Sequence, residues 1–264
     1  MDRLDRLESQ SIYILREAVA TMDNIAMLWS LGKDSNTMIR LAQKAFFGRM
    51  PFPLLHVDTG KKFPEMYAFR DEYAKKWNID LLLQECPDIS ETDEDLPPAA
   101  RSAARKSLGL KAAIETHGFR GLIAGIRRDE EATRAKERVF SPRGSSGEWQ
   151  PREQPPEFWN QYATDPPPGA HIRIHPLLHW TERDIWAYIQ RENIPVVDLY
   201  FARDGKRYRS LGDTDITRPI DSTAATIEEI LDELAQTRQA ERAGRLMDHE
   251  SEDAFERLRV DGYM

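Results

Sequence analysis

Short apolar runs alternate with segments of helical spacing between residues 25 and 124, and this alternation constrains the fold more than any other feature of the chain. Ile25-Ala26-Met27-Leu28-Trp29, Leu54-Leu55-His56-Val57-Asp58, Asp80 to Glu85 and Gly121-Leu122-Ile123-Ala124-Gly125 read as four strands. Between them, residues 35–47, Pro64 to Trp77 and Ser107 to His117 read as helices, Pro64 being suited to a first helical turn. Strands alternating with helices predict an α/β fold, a doubly wound parallel sheet with helices on both faces. In such sheets ligands bind beyond the C-terminal ends of the strands. A helix over Leu7 to Ala20, a strand over His171 to Leu177 and a helix over Thr181 to Arg191 extend this unit to about residue 200. Residues 201–264 read as a charged, mainly helical C-terminal extension, with helices over Thr226 to Leu234 and Gln239 to Arg259. Residues 141–169, rich in Pro, Gly and Ser, read as a flexible flap.

Composition narrows the class. The chain is 40% hydrophobic and 31% charged, with no apolar run long enough to span a bilayer. MDRLDRLESQ lacks the apolar stretch of a signal peptide, and the single cysteine, Cys86, excludes an internal disulfide and a Cys-based zinc site. These features favour a cytoplasmic enzyme. A net charge of −8 argues against the whole surface being a nucleic-acid footprint, while leaving room for a local basic groove. Cys86 ends an apolar run and reads as a buried, inert thiol.

The polar turns after the first, second and fourth strands converge on one rim. After the first comes Ser30-Leu31-Gly32-Lys33-Asp34-Ser35, directly ahead of a helix. A helix N-terminus presents unpaired N–H groups and a favourable dipole to an anion. Gly32 permits close approach, Ser30 and Ser35 add hydroxyl donors, and Lys33 adds a positive charge. Asp34, a carboxylate beside a phosphate, makes sense if a magnesium ion lies between them. The stretch therefore reads as a phosphate loop, although Ser, Gly and Asp are also ordinary helix-capping residues. Asp58 ends the second strand, where a carboxylate would hold a metal ion or a ribose hydroxyl, or cap the Thr59-Gly60 turn. Gly125 leads into Arg127, Arg128, Arg134, Lys136 and Arg138, a basic run suited to a polyphosphate. His171, His175 and His179 recur every fourth residue, but Pro176 and the alternation around Ile172 and Ile174 favour a strand over a helical metal site.

With these segments in place, the chain resembles the adenine-nucleotide α-hydrolases, or N-type ATP pyrophosphatases. Their loop reads Ser-Gly-Gly-x-Asp-Ser, matched by Ser30 to Ser35 except at Leu31. Within that class it resembles the small-subunit family of heterodimeric sulfate adenylyltransferase. The resemblance runs through Ser11 to Glu17, Pro51 to Gly60, Arg127 to Glu131 with Arg134 to Arg138, Trp180 to Trp186, and Glu241-Arg242 with Gly244-Arg245 and Asp248. It implies attack of an oxyanion on the α-phosphorus of ATP, giving an adenylate and pyrophosphate. It further implies ATP with Mg2+ as cofactors. Lys33, Asp34, Arg127 and Arg128 would be catalytic, with Asp34 near the metal. Nucleotide would bind at Ser30, Leu31, Gly32, Lys33, Asp34, Ser35, His56, Val57, Asp58, Thr59 and Gly125. The implied partner is a GTPase large subunit.

The chain also departs from that family. Only Phe201 to Tyr208 connects two strands that the family separates by a longer segment, and Leu211-Gly212-Asp213 stands where the family has Leu-Gly-Cys. Adenylation is therefore better supported than sulfate as acceptor. An alternative is activation of a nucleic-acid oxygen for sulfur insertion, as in DNA phosphorothioation, with a cysteine desulfurase and DNA-modification proteins as partners. A non-catalytic adenylate-binding subunit is a third reading, and a homodimer is the assembly left open. Phosphoadenosine-phosphosulfate reductase chemistry is excluded because no cysteine follows Cys86.

Overall fold

The computed structural model describes residues 1–92, 95–130, 132–145, 147–237 and Glu241. The chain opens with α1 (Arg3–Thr21), its N-terminus closed by a reciprocal capping box between Asp2 and Asp5. There follow β1 (Ile25–Leu28), α2 (Lys33–Ala45), β2 (Leu54–Asp58), α3 (Pro64–Lys76), β3 (Leu81–Glu85), α4 (Pro98–His117) and β4 (Gly121–Ile123). Next come β5 (Phe140–Arg143), β6 (His171–Ile174) and α5 (Glu182–Glu192). A two-stranded pair, β7 (Lys206–Arg207) with β8 (Ile220–Asp221), precedes α6 (Ile227–Gln236).

The main sheet has the order β3-β2-β1-β4-β6-β5, parallel throughout except for the antiparallel β5 at one edge. From β1 the chain moves outward to β2 and β3, while β4 and β6 lie on the other side of β1. The connections therefore diverge between β1 and β4, and a crevice must open beyond the ends of these two strands.

Successive side chains of a strand face opposite layers, and both layers are covered. On one face, Met27, Leu54 and Ile123 join a large core with Ile14 and Leu15 of α1, Met38 and Leu41 of α2, Met66 of α3, and Ile185 and Ile189 of α5. On the other, Ala26, Leu55 and Leu122 pack with Leu110 and Ala113 of α4 and with Phe119. The doubly wound sheet expected from the sequence is thus present, with most helices on one face and α4 on the other. α4 stops at Gly118, whose φ of +66° is the left-handed cap that glycine supplies at little cost.

Three elements differ from expectation. Ser141 to Arg143, expected as flap, belong to β5; Pro142 interrupts the strand pattern in sequence but is tolerated at a sheet edge. The following segment docks on the body, with Trp149 buried and Tyr162 stacked on Phe140 at 4.5 Å between ring centroids. α4 starts at Pro98, well ahead of Ser107, because proline occupies a first helical turn without losing a hydrogen bond. Residues 201–226 hold the β7–β8 pair and turns, and the helix expected over residues 239–259 lies, Glu241 apart, outside the described residues. Among the described residues no helix is long and apolar enough to cross a membrane.

The smaller core beneath α4 has few members, so each matters. Leu122→Ala, at a fully buried position, is expected to lower unfolding stability by about 2–5 kcal/mol. A urea titration checks this through a lower midpoint at unchanged slope.

Candidate functional site

After β1 the chain turns through Ser30, Leu31 and Gly32 into α2. Leu31 has φ +66°, a left-handed conformation that costs a residue with a Cβ about 1–2 kcal/mol. Its side chain is completely buried, which offsets that strain. The glycine of the family's loop pattern would adopt the same backbone freely. Ser35 Oγ donates to the Gly32 carbonyl at 2.9 Å, and Ser30 Oγ lies 3.2 Å from Ser35 Oγ. The Lys33 N–H donates to Tyr200 Oη at 3.0 Å. Gly125, just beyond β4, packs against this turn: a Cβ there would sit 3.0 Å from Met38 Cε and 3.5 Å from Asp34. Absence of a side chain is what brings the two loops together.

These loops open onto a cavity of about 240 Å³. Ser30, Gly32, Lys33, Asp34, Ser35, Gly125 and Val57 line it, with Leu28, Leu55, Leu110 and Ala124 giving it an apolar wall. A polar end and an apolar slot suit a ligand that joins an anion to a flat organic ring.

The polar end is a buried ion cluster. Lys33 and Arg127 are 1% and 0% exposed, and burial of a cation is tolerated when carboxylates surround it. Lys33 Nζ lies 3.1 Å from Asp34 Oδ2 and also donates to Glu241 Oε1. Arg127 donates to Asp34 and Glu241 through its terminal nitrogens and to Asp129 Oδ1 through Nε at 3.0 Å. Burial opposes the Arg127 charge, yet Glu241, Glu130 and Asp129 more than compensate and hold its pKa above the usual value. Burial likewise opposes the Glu241 carboxylate, but Arg127 and Lys33 hold it well below the ordinary range. Asp129 Oδ2 accepts the Glu182 N–H at 2.7 Å, and Glu182 in turn receives Arg209 Nη2 at 2.7 Å. The loops after β1 and β4, the start of α5, Arg209 and Glu241 are thereby joined in one network.

The remaining residues singled out from the sequence are placed as follows. Leu31 lies in the core rather than on the cavity wall. His56 shares a strand face with Leu54, away from Leu55 and Val57; its Nδ1 lies 2.8 Å from the Trp29 carbonyl, and burial lowers its pKa to about 4. Asp58 accepts the Gly60 N–H at 2.9 Å and Tyr67 Oη at 2.8 Å, with Arg70 at 3.4 Å, so it closes the turn and anchors α3. Thr59 Oγ1 donates to Asp213 Oδ1 at 2.8 Å. Arg128 turns into a separate cavity that it shares with Arg138 and His179, its Nη1 2.9 Å from His179 Nδ1. Cys86 is a free thiol whose pKa burial raises to about 11, so it stays protonated near neutral pH.

Sequence reasoning missed several lining residues. Lys62, Lys106, Ser107, Arg173, Tyr200, Leu211 and Glu241 all face the cavity. Arg173 is nearly fully buried and donates through Nε to His171 Nε2 at 3.1 Å; burial and Arg143 lower its pKa to about 9. An arginine inside an apolar strand was the available signal. Among the described residues no group of three His, Cys, Asp or Glu side chains is arranged to hold a metal ion by itself.

The histidines have a measurable consequence. Burial lowers the His175 pKa from 6.5 to about 4, so the folded protein holds the ring neutral. The unfolded chain binds protons more readily, so this contribution to stability is complete above pH 6.5 and is lost as pH falls toward 4. His175→Gln should flatten the stability–pH profile across that window in urea titrations run at successive pH values.

A model of the phosphoadenosine phosphosulfate reductase domain matches residues 24–219. Sulfate adenylyltransferase subunit 2 of Rhodopseudomonas palustris (strain BisB18) is 43% identical over 98% of this chain and 89% of the relative. Among solved structures, Candida glabrata FMN adenylyltransferase in complex with FMN and the ATP analog AMPCPP overlays with a TM-score of 0.57 at 18% identity, covering 82% of this chain and 64% of that one. Phosphoadenylyl-sulfate reductase from Candida auris, as a phosphate complex, overlays with a TM-score of 0.54 at 18% identity, covering 81% of this chain and 97% of that one. At such identities the structural likenesses speak for the fold alone.

Proposed function

This chain belongs to the sulfate adenylyltransferase subunit 2 family, built on the phosphoadenosine phosphosulfate reductase domain, and we propose that it transfers AMP from ATP to sulfate. The observation that carries the reading is the full-length relationship, 43% identity over 98% of the chain, together with a cavity that joins a polar end, with Lys33 on its wall, to an apolar slot. A nucleic-acid acceptor and a purely regulatory subunit draw no comparable support.

In this reading the adenine occupies the slot beside Leu55, Val57 and Leu110, and the phosphates lie against the N-terminus of α2. A sulfate oxygen attacks the α-phosphorus; one P–O bond forms, the bond to the β-phosphate oxygen breaks, and pyrophosphate leaves with the electron pair. Sulfate is already an anion, so no general base is required. Negative charge builds on the departing pyrophosphate, and Lys33 on the cavity wall and the α2 N-terminus are preorganised to stabilise it, while Arg127, behind the wall, holds Asp34 and Glu241 in place. Arg127 is held charged and oriented by Asp129, which needs no rearrangement at the moment of reaction.

Magnesium would arrive with the triphosphate. Asp34, on the cavity wall with its side chain 19% exposed, is the loop's carboxylate for it, and one carboxylate with phosphate oxygens suits this ion. When bound, the ion would neutralise phosphate charge. As a subunit 2, the chain works in a heteromer with a large subunit, which we infer to be a GTPase.

The test incubates the full chain with ATP and magnesium, with and without sulfate and the GTPase subunit, and follows pyrophosphate and adenylyl sulfate together. Release should depend on sulfate, and sulfate-independent release would refute the assignment. Asp34→Ala and Lys33→Ala should each lower turnover by about 100-fold or more. Normal turnover in either variant would sink the placement of the phosphates.

A further inference from the structure

The cavity has a second group of cations, away from the Lys33–Arg127 cluster in sequence and differently compensated. Lys62, in the turn after β2, and Lys106, on α4, both line it. Each pairs with Asp213, Lys106 Nζ at 2.8 Å from Oδ2 and Lys62 Nζ at 3.4 Å from Oδ1. Asp213 is fully buried and accepts Ser102 Oγ at 2.5 Å and Thr59 Oγ1 at 2.8 Å as well. Lys33 and Arg127 share Asp34 and Glu241, and Arg127 has Asp129 besides; here, among the described residues, one carboxylate pairs with two ammonium groups.

Among the described residues, neighbouring groups keep the balance positive. Arg105, 8% exposed, directs its guanidinium to the carbonyls of Pro87 at 2.8 Å and Thr59 at 3.4 Å. Asp58, the other carboxylate felt by Lys62, is engaged by Tyr67, Arg70 and the Gly60 N–H. Lys62 bears the strain of this arrangement: burial, followed by repulsion from Lys106, lowers its pKa. Ser107, one residue along α4, lines the same cavity, and its Oγ is buried without a hydrogen-bond partner among the described residues.

Two ammonium groups and a vacant hydroxyl donor on the wall of an adenylation cavity have the chemistry of a receptor for a small tetrahedral oxyanion. We propose that Lys62, Lys106 and Ser107 form the acceptor subsite, which takes sulfate, and that Asp213 tunes its affinity by holding both lysines at the wall. This rests on the adenylation reading above, and it makes Asp213, where the family pattern has cysteine, a determinant of acceptor binding. A carboxylate competing for the same ammonium groups weakens the oxyanion; an uncharged side chain there releases them.

The test titrates sulfate into the full chain loaded with the ATP analogue AMPCPP, by calorimetry, beside sulfate-dependent turnover with the GTPase subunit. Lys106→Met, with a side chain that is one-quarter exposed and so peripheral to folding, should weaken sulfate binding by about tenfold or more with AMPCPP affinity unchanged. Asp213→Asn should tighten sulfate binding. A purely structural role would shift both variants toward loss, so the opposite signs are diagnostic. Sulfate affinity unchanged in both variants, or weakened in both, overturns the subsite even if wild-type turnover requires sulfate. Lys106-dependent sulfate binding without pyrophosphate release would instead overturn the adenylation reading and leave the subsite standing. Absence of sulfate binding by the loaded wild-type chain overturns the subsite.

Discussion

Two buried cations, Lys33 and Arg127, impose the strongest constraint on this molecule. Neither can be removed from water without carboxylates to compensate, and the compensation comes from four carboxylates in three separate places: Asp34 on α2, Asp129 and Glu130 after β4, and Glu241 far along the sequence. Each of those carboxylates is therefore fixed relative to the others. Asp129 also caps α5 through the Glu182 N–H, and Glu182 binds Arg209, so the geometry of the cluster spreads to the helix and segment behind it. A charge cluster of this kind contributes little net stability, since desolvation cancels much of the attraction. Its contribution is to fix the orientation of both cations.

The backbone makes that orientation achievable. β1 and β4 are adjacent parallel strands whose following connections diverge, which leaves an unfilled crevice where their loops meet. Gly125 lets the second loop approach the first turn of α2, and Leu31 accepts a left-handed backbone so that Gly32 can start the helix. Tyr200 fills the gap behind, its hydroxyl receiving the Lys33 N–H and its ring packed edge-on against Trp186 at 5.4 Å between centroids. Strain at Leu31 and close contact at Gly125 are thus two parts of one arrangement.

Much of this was legible in the sequence, for physical reasons. Parallel strands buried on both faces are continuous apolar runs, so residues 25–28, 54–58 and 121–123 declare themselves, and the edge strand 81–85 is apolar at its start. The Ser30 to Ser35 turn declares itself by its position between a strand and a helix. What composition conceals is tertiary. β5 lies in a segment of Pro, Gly and Ser because an edge strand needs only one partner. His56 could not be assigned to a strand face, since both faces of β2 are covered. Arg128 continues a basic run, yet adjacent residues point apart, and it reaches a different cavity from the network around Arg127. Glu241 and Asp213 were visible only as a family match and a family departure; their ion pairs join positions more than one hundred residues apart.

The contrast between those two carboxylates bears on how, in the proposed reaction, one cavity would handle two anions. Glu241, Asp34 and Asp129 surround their cations on several sides, which holds Lys33 and Arg127 in place. Among the described residues Asp213 is the carboxylate that pairs with both Lys62 and Lys106, with its remaining lone pairs engaged by Ser102 and Thr59, so it does not neutralise both ammonium groups. A densely compensated cluster favours rigidity, and an under-compensated one favours capture of a further anion. A reaction that holds a polyphosphate still while admitting a small oxyanion needs both kinds of electrostatics side by side. The order β3-β2-β1-β4 supplies them from neighbouring strand ends, one set from the loops after β1 and β4 and the other from the turn after β2 and the helix α4.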